Sequence, residues 1–282
     1  MSLDKIFNRL GITEYGVVSA SNAHDLILKS KSALSPKTTA KCIQDILPDA
    51  KSIIVYLLPY NHGIQPQNLS LYATGADYHY VCSQINSEIC EYLRKLGESS
   101  VAFADNGPLN ERLLAKKAGL GIIGNNHFLI NKTYGSYTFI SYIITSHPLK
   151  ESTSKEGFCM NCNKCIVACP GGALGKENFN ESKCISYLTQ KKGQLNDEEI
   201  QLIKLGKSAW GCDICQNICP MNKSVKLSSF PHFNENLILC IKNEYLSNRA
   251  FKEKHKHRAF SWRGKCVIDR NLSIINENDD NV

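Results

Sequence analysis

The run CMNCNKCIVACP, from Cys159 to Pro170, decides most of what can be predicted about this chain. Its cysteines follow the spacing C-x2-C-x2-C-x3-C-P, which is typical of bacterial ferredoxins. Three thiolates with two residues between neighbours can bind three irons of one cubane. The fourth lies on the following helix and faces a neighbouring cluster. Zinc also binds C-x2-C pairs, but zinc sites lack the Cys-Pro ending and rarely use this triple spacing. The run therefore predicts an iron–sulfur site.

A second run, CDICQNICP from Cys212 to Pro220, is one cysteine short of a full set, and Cys184 between the runs supplies it. In the reciprocal arrangement of two-cluster ferredoxins, the last cysteine of each run binds the other cluster. We therefore expect two [4Fe–4S] clusters, which form a relay for single electrons. Their expected ligands are Cys159, Cys162, Cys165 and Cys219 for one cluster, and Cys169, Cys184, Cys212 and Cys215 for the other.

The composition predicts a globular protein of the cytoplasm. The chain has 282 residues, 43% of them apolar and 21% charged, which excludes a disordered or fibrous protein. Asp4 interrupts the N-terminus, and nowhere do about 18 uncharged apolar residues follow one another, so we expect no membrane contact. In a reducing compartment, thirteen cysteines indicate metal or catalysis rather than disulfides. Scattered buried thiols account better for the five outside the cluster set: Cys42, Cys82, Cys90, Cys240 and Cys266.

Hydrophobic periodicity predicts an N-terminal α/β (α+β) domain, a sheet covered by helices, over residues 1–150. Apolar runs at 52–58, 101–104 and 138–145 indicate strands, and apolar spacings of three and four indicate helices at 77–96 and 109–119. A polar linker then leads into a bacterial-ferredoxin-like double [4Fe–4S] domain over residues 151–225. We expect residues 226–282 to form a helical, basic C-terminal segment, with one helix near 235–252.

Basic residues concentrate near the C-terminus. Between residues 249 and 270 there are eight Lys or Arg against Glu253 and Asp269. Such a run is either a solvated face or a phosphate-binding footprint. The candidate nucleic-acid contacts are Trp262, Arg263 and Lys265, although Trp262 could equally be a core anchor.

Several segments together resemble the epoxyqueuosine reductases, in order and over most of the chain. They are residues 72–79 (YATGADYH), 103–126, 133–145, 184–189 (CISYLT), 210–220 (WGCDICQNICP) and 260–272 (FSWRGKCVIDRNL). The resemblance implies a cobalamin-dependent enzyme with two clusters. Its reaction would be the last step of queuosine biosynthesis, the reduction of the epoxide of epoxyqueuosine in a tRNA anticodon to the cyclopentene. Reductive dehalogenases are relatives with the same redox apparatus.

The resemblance also implies partners. The substrate would be a tRNA with a GUN anticodon, and a low-potential donor such as ferredoxin or flavodoxin would feed the relay of a monomer. The clusters would reduce cob(II)alamin to nucleophilic cob(I)alamin. Many family members extend into a helical-repeat region that helps grip the tRNA. We expect this chain to be a short form without it, in which the basic tail carries much of the phosphate contact.

Asp105 matches the family's acidic residue and is the expected proton donor to the opening epoxide oxygen. For this role, burial beside the corrin should raise its pKa, since an ordinary Asp is ionised at pH 7. Taken alone, an Asp in the A-D-N-G-P stretch is a simple turn residue. The expected cofactor-binding residues are Tyr78, His79, Gly124, Asn126 and Ser186.

His79 is not assigned as an axial ligand, because Cys82 stands where the corrinoid signature D-x-H-x-x-G has its last glycine. Glu111, Arg112 and the glycines of residues 119–124 (GLGIIG) match the same family block as Asp105. Those glycines could let the backbone approach a corrin or phosphate, or could serve tight packing of a turn.

Three other functions fit parts of the sequence. A cobalamin-dependent reductase of a small molecule, such as an organohalide, would have the same relay but no tRNA affinity. A non-catalytic two-cluster electron carrier would bind no corrinoid and would tolerate Asp105→Asn. A structural nucleic-acid-binding protein would explain the basic tail but not the block around Asp105.

Overall fold

The computed structural model describes residues 3–27, 40–105, 107–153, 157–175 and 178–277. The chain forms two compact units, each assembled from separate stretches of sequence. The first unit comprises Met1–Pro59, Tyr78–Gly124 and Phe128–Cys159, and the second comprises Tyr60–Asp77, Asn125–His127 and Met160–Val282. In the described residues, no helix is sufficiently long and apolar to span a bilayer.

A four-stranded antiparallel sheet is the centre of the first unit. Its strands are β1 (Tyr15–Ser19), β2 (Ser52–Pro59), β3 (Ser100–Ala104) and β6 (Thr138–Thr145), in the order β1-β2-β6-β3. A separate two-stranded hairpin joins β4 (Ile122–Ile123) to β5 (Leu129–Ile130). All eight residues of β2 are buried, which explains why residues 53–58 are an unbroken apolar run instead of alternating polar and apolar residues.

Helices cover both faces of this sheet. The helices are α1 (Leu3–Arg9), α2 (Tyr78–Lys95) and α3 (Glu111–Lys117). Leu114 of α3 packs in one core with Val55 of the sheet. Tyr56 points to the opposite face because side chains alternate along a strand, and there its hydroxyl donates to Asn86 Oδ1 of α2 at 2.8 Å.

The expected strands and helices of this unit are all present, and the mixed α and β fold class is confirmed. Helix α3 is shorter than the interval 109–119 because Asn110 caps its N-terminus, accepting a hydrogen bond from Leu113 N–H. The antiparallel strand pairing places the unit in the α+β class rather than among parallel βαβ folds.

The second unit is made of short helices around aromatic anchors. Its helices are α4 (Lys164–Ala168), α5 (Ile185–Leu188), α6 (Asp197–Gly206), α7 (Ile214–Asn217), α8 (Pro231–Asn234), α9 (Asn248–Lys254) and α10 (Lys265–Asn276). Trp210, Phe251 and Phe260 are fully buried in one core. Ile274 of α10 packs with Ile185 and Ile203 in another.

These packing contacts differ from the division expected from sequence. The C-terminal segment shares cores with the cysteine segment, as Ile274 does with Ile185. Residues 60–77 also belong to the second unit, since Ser70 N–H donates to Trp210 O at 2.8 Å. Burial of apolar groups distant in sequence decides such groupings, and composition shifts along the chain do not report it. The three-domain division stays a proposal.

The prediction of a helix near residues 235–252 is wrong. Residues 237–247 are irregular, and α9 begins only at Asn248, where Ser247 accepts a capping hydrogen bond from Ala250 N–H. Asn236 also adopts a left-handed φ of 52°, which is incompatible with a continuous right-handed helix.

Candidate functional site

Asp105 stands at the end of β3 with its carboxylate held by the first turn of α2. Tyr78 Oη donates to Asp105 Oδ2 at 2.8 Å, and His79 Nε2 lies 3.4 Å from the same oxygen. The side chain of Asp105 is 48% exposed, so a ligand can reach it. Its φ of 61° lies in the left-handed region, which Asp tolerates better than most residues but which remains sparsely populated.

The pKa of Asp105 is below its usual value. Loss of solvation raises it, but hydrogen bonds from His79 and Tyr78 and the positive charges of His79 and Arg112 outweigh that effect. The raised pKa expected for Asp105 beside a corrin stays a prediction, and the protein groups around the carboxylate act in the opposite direction. The two donors, 26 and 27 residues earlier in the chain, stabilise the ionised carboxylate.

Glu111, in the first turn of α3, has the opposite shift. Burial, followed by the charge of Asp105, raises the pKa of Glu111 to about 8 despite the opposing charge of Arg112. The Oε2 atom of Glu111 is buried and has no hydrogen-bond partner among the described residues. Two carboxyl groups whose pKa values are driven apart are a recurrent arrangement in acid–base sites.

Aromatic rings surround the donors of Asp105. The ring of Tyr78 stacks on Phe139 of β6, with centroids 4.4 Å apart and planes 10° apart, and packs against His79 at 4.1 Å. His79 is thus engaged by Asp105 and Tyr78, which agrees with a hydrogen-bonding histidine rather than an axial ligand. Sequence reasoning did not identify Phe139, because an aromatic residue in a buried strand gives no separate signal.

Two glycines of the first unit are required by close packing. A Cβ at Gly107 would lie 2.0 Å from Tyr142 Oη, and one at Gly121 would lie 2.5 Å from Ile130 O. The same Tyr142 hydroxyl accepts a hydrogen bond from Leu109 N–H at 3.1 Å. Of the two roles that the sequence allowed for the glycines of residues 119–124, packing therefore explains Gly121.

The other three expected cofactor-binding residues are divided between the two units. Gly124, in the first unit, donates its N–H to Phe128 O at 3.0 Å. Asn126, in the second, is 3% exposed. Ser186 lies in α5, where its carbonyl accepts from Thr189 Oγ1 at 3.0 Å. Of this set, the structure brings Tyr78 and His79 together at Asp105.

Seven of the eight expected cluster ligands lie in the second unit, and Cys159 is the last residue of the first. Cys165 lies in α4, which ends at Ala168 with Cys169 as its C-cap, and α4 packs on α7, which carries Cys215. Asn161 and Asn163 adopt left-handed φ values of 52° and 56°, so the loop between these cysteines coils tightly. The backbone N–H of Ala173 donates to Cys169 Sγ at 3.3 Å, a contact of the kind that tunes cluster potentials.

Four of these cysteines lie close enough to influence one another. Burial raises the pKa of the Cys215 thiol, and the neighbouring Cys212, Cys184 and Cys169 raise it further. These four are the set expected from sequence for the second cluster. Within the described residues, no three Cys, His, Asp or Glu side chains surround one metal ion. A cubane does not require such a group, because each of its four thiolates binds a different iron.

The residues of the basic tail differ in their contacts. Arg258 donates to Thr74 O at 2.9 Å, and Arg270 donates to the carbonyls of Lys191 and Gly193 at 2.8 Å each. These two arginines therefore hold the second unit together.

Trp262, in contrast, is 52% exposed, and the guanidinium of Arg263 stacks 3.6 Å from its ring centroid. The core-anchor interpretation of Trp262 is wrong. Lys265 Nζ pairs with Asp269 one turn along α10.

Two family models match this chain. Residues 158–222 match the 4Fe-4S double cluster binding domain, and residues 41–106 match the family described as epoxyqueuosine reductase QueG, DUF1730. The first match covers all eight expected cluster ligands, and the second ends just after Asp105.

Curated relatives carry the same name. An epoxyqueuosine reductase of Bacillus subtilis is 35% identical over 81% of this chain and 63% of its own length. One of Staphylococcus aureus is 31% identical over 94% of this chain and 71% of its own length. The chain thus spans a little under two thirds of the first of these relatives.

Solved structures extend the comparison. A crystal structure of epoxyqueuosine reductase with an epoxyqueuosine-modified tRNA-Tyr stem loop has a TM-score of 0.84 at 27% identity, covering 96% of this chain and 80% of that one. A Bacillus subtilis epoxyqueuosine reductase whose catalytic aspartate loop is swung out of the active site has a TM-score of 0.82 at 28% identity, with the same coverage.

A reductive dehalogenase, described as B12-dependent, has a TM-score of 0.53 at 14% identity, covering 98% of this chain and 35% of that one. This distant likeness shows a shared fold only. The curated relatives are closer in sequence, and one of them is matched over 71% of its length. On that evidence the chain belongs to the epoxyqueuosine reductase family.

Proposed function

We propose that this protein reduces epoxyqueuosine to queuosine in the anticodon of a tRNA, as the last step of queuosine biosynthesis. The observation that carries the proposal is the exposed carboxylate of Asp105, held by Tyr78 and His79, in a family member whose other unit matches a double-cluster module. A relative was crystallised with an epoxyqueuosine-modified tRNA stem loop, which supports the same substrate here.

Asp105 is the proposed proton donor. Conversion of an epoxide to an alkene consumes two electrons and two protons and releases water, so the departing oxygen must be protonated. In this structure Asp105 favours its ionised form, and His79 Nε2, an imidazole nitrogen that can carry a proton, lies 3.4 Å from Asp105 Oδ2. Covering the carboxylate with an apolar ligand would exclude water and raise its pKa, so that the proton moves to Asp105.

We propose that the eight cysteines hold two [4Fe–4S] clusters in the reciprocal arrangement, and that a low-potential donor such as ferredoxin or flavodoxin reduces them. The mutual proximity of Cys169, Cys184, Cys212 and Cys215 supports one of the two ligand sets. Binding the clusters would require these thiols to lose their protons.

We further propose a cobalamin cofactor, for which the B12-dependent neighbour of similar fold gives support. The residues present fit such a group. Thr138 Oγ1, at the start of β6, is buried without a hydrogen-bond partner in the described part of the chain. Next to it, Phe139 supports Tyr78 beside the exposed Asp105.

Tyr78, His79, Gly124, Asn126 and Ser186 are the proposed contacts of this cofactor. When bound, cobalamin would supply a strongly reducing, carbon-directed nucleophile. Tyr78 and His79 would keep Asp105 oriented towards the departing oxygen.

The proposed tRNA contacts are Trp262, Arg263 and Lys265, since an exposed indole stacked by a guanidinium can accept a base or a phosphate. The substrate would be a tRNA with a GUN anticodon. We propose that the enzyme works as a monomer in the cytoplasm, where its tRNA substrate is made.

The test is anaerobic purification with added cobalamin, quantification of iron and corrinoid, and incubation with a low-potential reductant and epoxyqueuosine-containing tRNA. Appearance of queuosine in the nucleoside digest, dependent on added cobalamin, supports the proposal. Full iron and corrinoid occupancy without queuosine would reject this substrate and favour a small-molecule reductase. Occupied clusters without corrinoid would favour an electron carrier.

A further inference from the structure

Asp213, which lies between the proposed cluster ligands Cys212 and Cys215, does not bond to its own helix. It is the N-cap of α7, a position at which an aspartate commonly accepts from first-turn N–H groups, but its side chain makes no such bond. Its Oδ2 accepts instead from Leu71 N–H and its Oδ1 from Ser70 Oγ, each at 2.6 Å. The carboxylate is therefore bound to residues 142 and 143 positions earlier in the chain.

A backbone pairing within the second unit leads up to this carboxylate. Ser70 N–H donates to Trp210 O at 2.8 Å, and Leu69 forms a parallel bridge with Trp210. The next residue, Leu71, begins a short 3₁₀ turn, so its N–H has no acceptor within that turn. Asp213 supplies the acceptor, and its side chain thus continues the pairing past the last main-chain bond.

Gly211 permits the close approach of the two segments. Its φ of 76° lies in the left-handed region, and a Cβ there would lie 2.4 Å from Ser70 Cβ. Its N–H donates to Oγ1 of the buried Thr189 at 2.9 Å. The main chain that leads into Cys212 is therefore fixed as well.

Gln216 holds the same carboxylate from within α7. Its Nε2 donates to Asp213 Oδ1 at 3.1 Å, and its Oε1 accepts from Tyr60 Oη at 3.2 Å. Gln216 is buried and directly follows Cys215, just as Asp213 directly follows Cys212. Each of the two ligands therefore adjoins a member of one hydrogen-bonded network.

We propose that Asp213 is a positioning residue, whose carboxylate holds the turn from Cys212 to Cys215 against Ser70 and Leu71 and so presents both thiolates to the second [4Fe–4S] cluster. This inference rests on the proposed ligand assignment. Since the thiolates of a cubane bind different irons, the spacing of the two sulfurs must match the cluster. Without the anchor, opening of one Fe–S bond would let the turn move away, and the cluster would be lost faster.

The test measures iron release from the anaerobically reconstituted protein to a ferrous chelator, which requires no turnover. In Asp213→Ala, about half of the iron, that of one cluster, should be released about tenfold or more faster than in the wild type, since the hydrogen bonds to the carboxylate are lost. The other half should be released at the wild-type rate. Asp213→Asn, whose amide oxygen still accepts, should give an intermediate rate.

Ser70→Ala tests the anchor from outside the cysteine segment. It removes one donor to Asp213 and should accelerate release about threefold in the wild-type background. In the Asp213→Ala background it should add nothing, because the contact it removes is already gone. Asn68→Ala is the matched control, since the Asn68 side chain bonds to the main chain of Ile241 at 2.8 and 2.9 Å. It should leave iron release at the wild-type rate.

Three results would overturn the inference: wild-type release from a folded Asp213→Ala protein, equal acceleration for both clusters, or an equal effect of Ser70→Ala in both backgrounds. If Asp213→Ala does not accumulate as folded protein, Asp213→Asn and single Ser70→Ala are judged by the first two criteria. Failure of the ligand assignment is distinguishable, because Cys212→Ser would then keep its full iron content. Absence of queuosine would reject the proposed reaction and leave the iron-release result standing.

Discussion

The cysteine segment and the site around Asp105 place their side chains by different means. In the cysteine segment, ligands two and three residues apart are brought near each other by one loop and one short helix, and α4 and α7 then join the two runs. Around Asp105, the residues come from three elements: Tyr78 and His79 from α2, Glu111 from α3 and, stacked on Tyr78, Phe139 from β6. Local spacing in the sequence therefore reports the first arrangement and not the second.

One buried aspartate, Asp213, and one half-exposed aspartate, Asp105, show the same difference between the two regions. Asp213, beside Cys212, accepts hydrogen bonds from Ser70 Oγ and Leu71 N–H at 2.6 Å each, yet burial still raises its pKa. Asp105 is half-exposed, and the cationic neighbours His79 and Arg112 help to lower its pKa. The difference indicates that charged partners, more than the number of donors, decide which carboxyl group stays ionised.

The largest expected effect comes from the cysteine segment. Cys184→Ser removes a ligand of the proposed second cluster, so we expect about half of the bound iron and all turnover to be lost, because the relay is interrupted. Iron and sulfide quantification with electron paramagnetic resonance measures this. Cys240→Ser, outside the proposed ligand sets, is the control and should retain both clusters. Full iron content in Cys184→Ser would reject the ligand assignment.

Asp105→Asn tests the region around Asp105 and leaves the proposed cluster ligands unchanged. The amide keeps the shape of the side chain but cannot donate a carboxyl proton, so we expect turnover to fall about 10²- to 10⁴-fold. Iron, corrinoid and tRNA binding should stay at wild-type values. A rapid-quench assay of queuosine formation measures the change, and wild-type rates would exclude Asp105 as the acid.

Gly107→Ala should displace the loop that follows Asp105. The new methyl group would lie 2.0 Å from Tyr142 Oη, so either the loop or the strand must shift. We expect turnover to fall by about 10- to 100-fold with clusters intact. The matched variant Tyr142→Phe combined with Gly107→Ala removes the clashing hydroxyl and should recover part of the loss, whereas a double variant as slow as Gly107→Ala would point to another cause.

Charge reversal in the basic tail should have a moderate effect on tRNA binding alone. Arg263→Glu and Lys265→Glu together should weaken affinity about tenfold or more near 0.1 M salt, and the dependence on salt should become less steep. Filter binding at several salt concentrations measures both quantities. Lys226→Glu, outside the tail, is the control, and equal affinities of variant and wild type would move the tRNA site elsewhere.

The smallest expected effect concerns stability and pH. The pKa of Glu111 is about 8 in the folded state against an ordinary 4.5, so the folded chain binds more protons than the unfolded chain between these values. The contribution of Glu111 to the free energy of unfolding is fully present below about pH 4.5 and is lost as the pH rises through 8. Between pH 6 and 8 the wild type should lose up to about 2 kcal/mol that Glu111→Gln does not lose.

Urea unfolding at the two pH values measures this difference. Glu253→Gln, on the exposed face of α9, is the control and should follow the wild type. If wild type and Glu111→Gln changed in parallel, Glu111 would not hold its proton in the folded state.

The sequence by itself determined the strands and helices of the first unit and the cysteine spacing, because apolar periodicity and ligand spacing are local properties. It also determined the family, through blocks that include the stretch around Asp105. It could not determine that residues 60–77 join the second unit, that Arg258 and Arg270 are structural, or that Trp262 is exposed. Nor could it predict the lowered pKa of Asp105 or the raised pKa of Glu111. Tertiary structure alone decided these, because solvation and the charges around a group are set by residues far away in the chain.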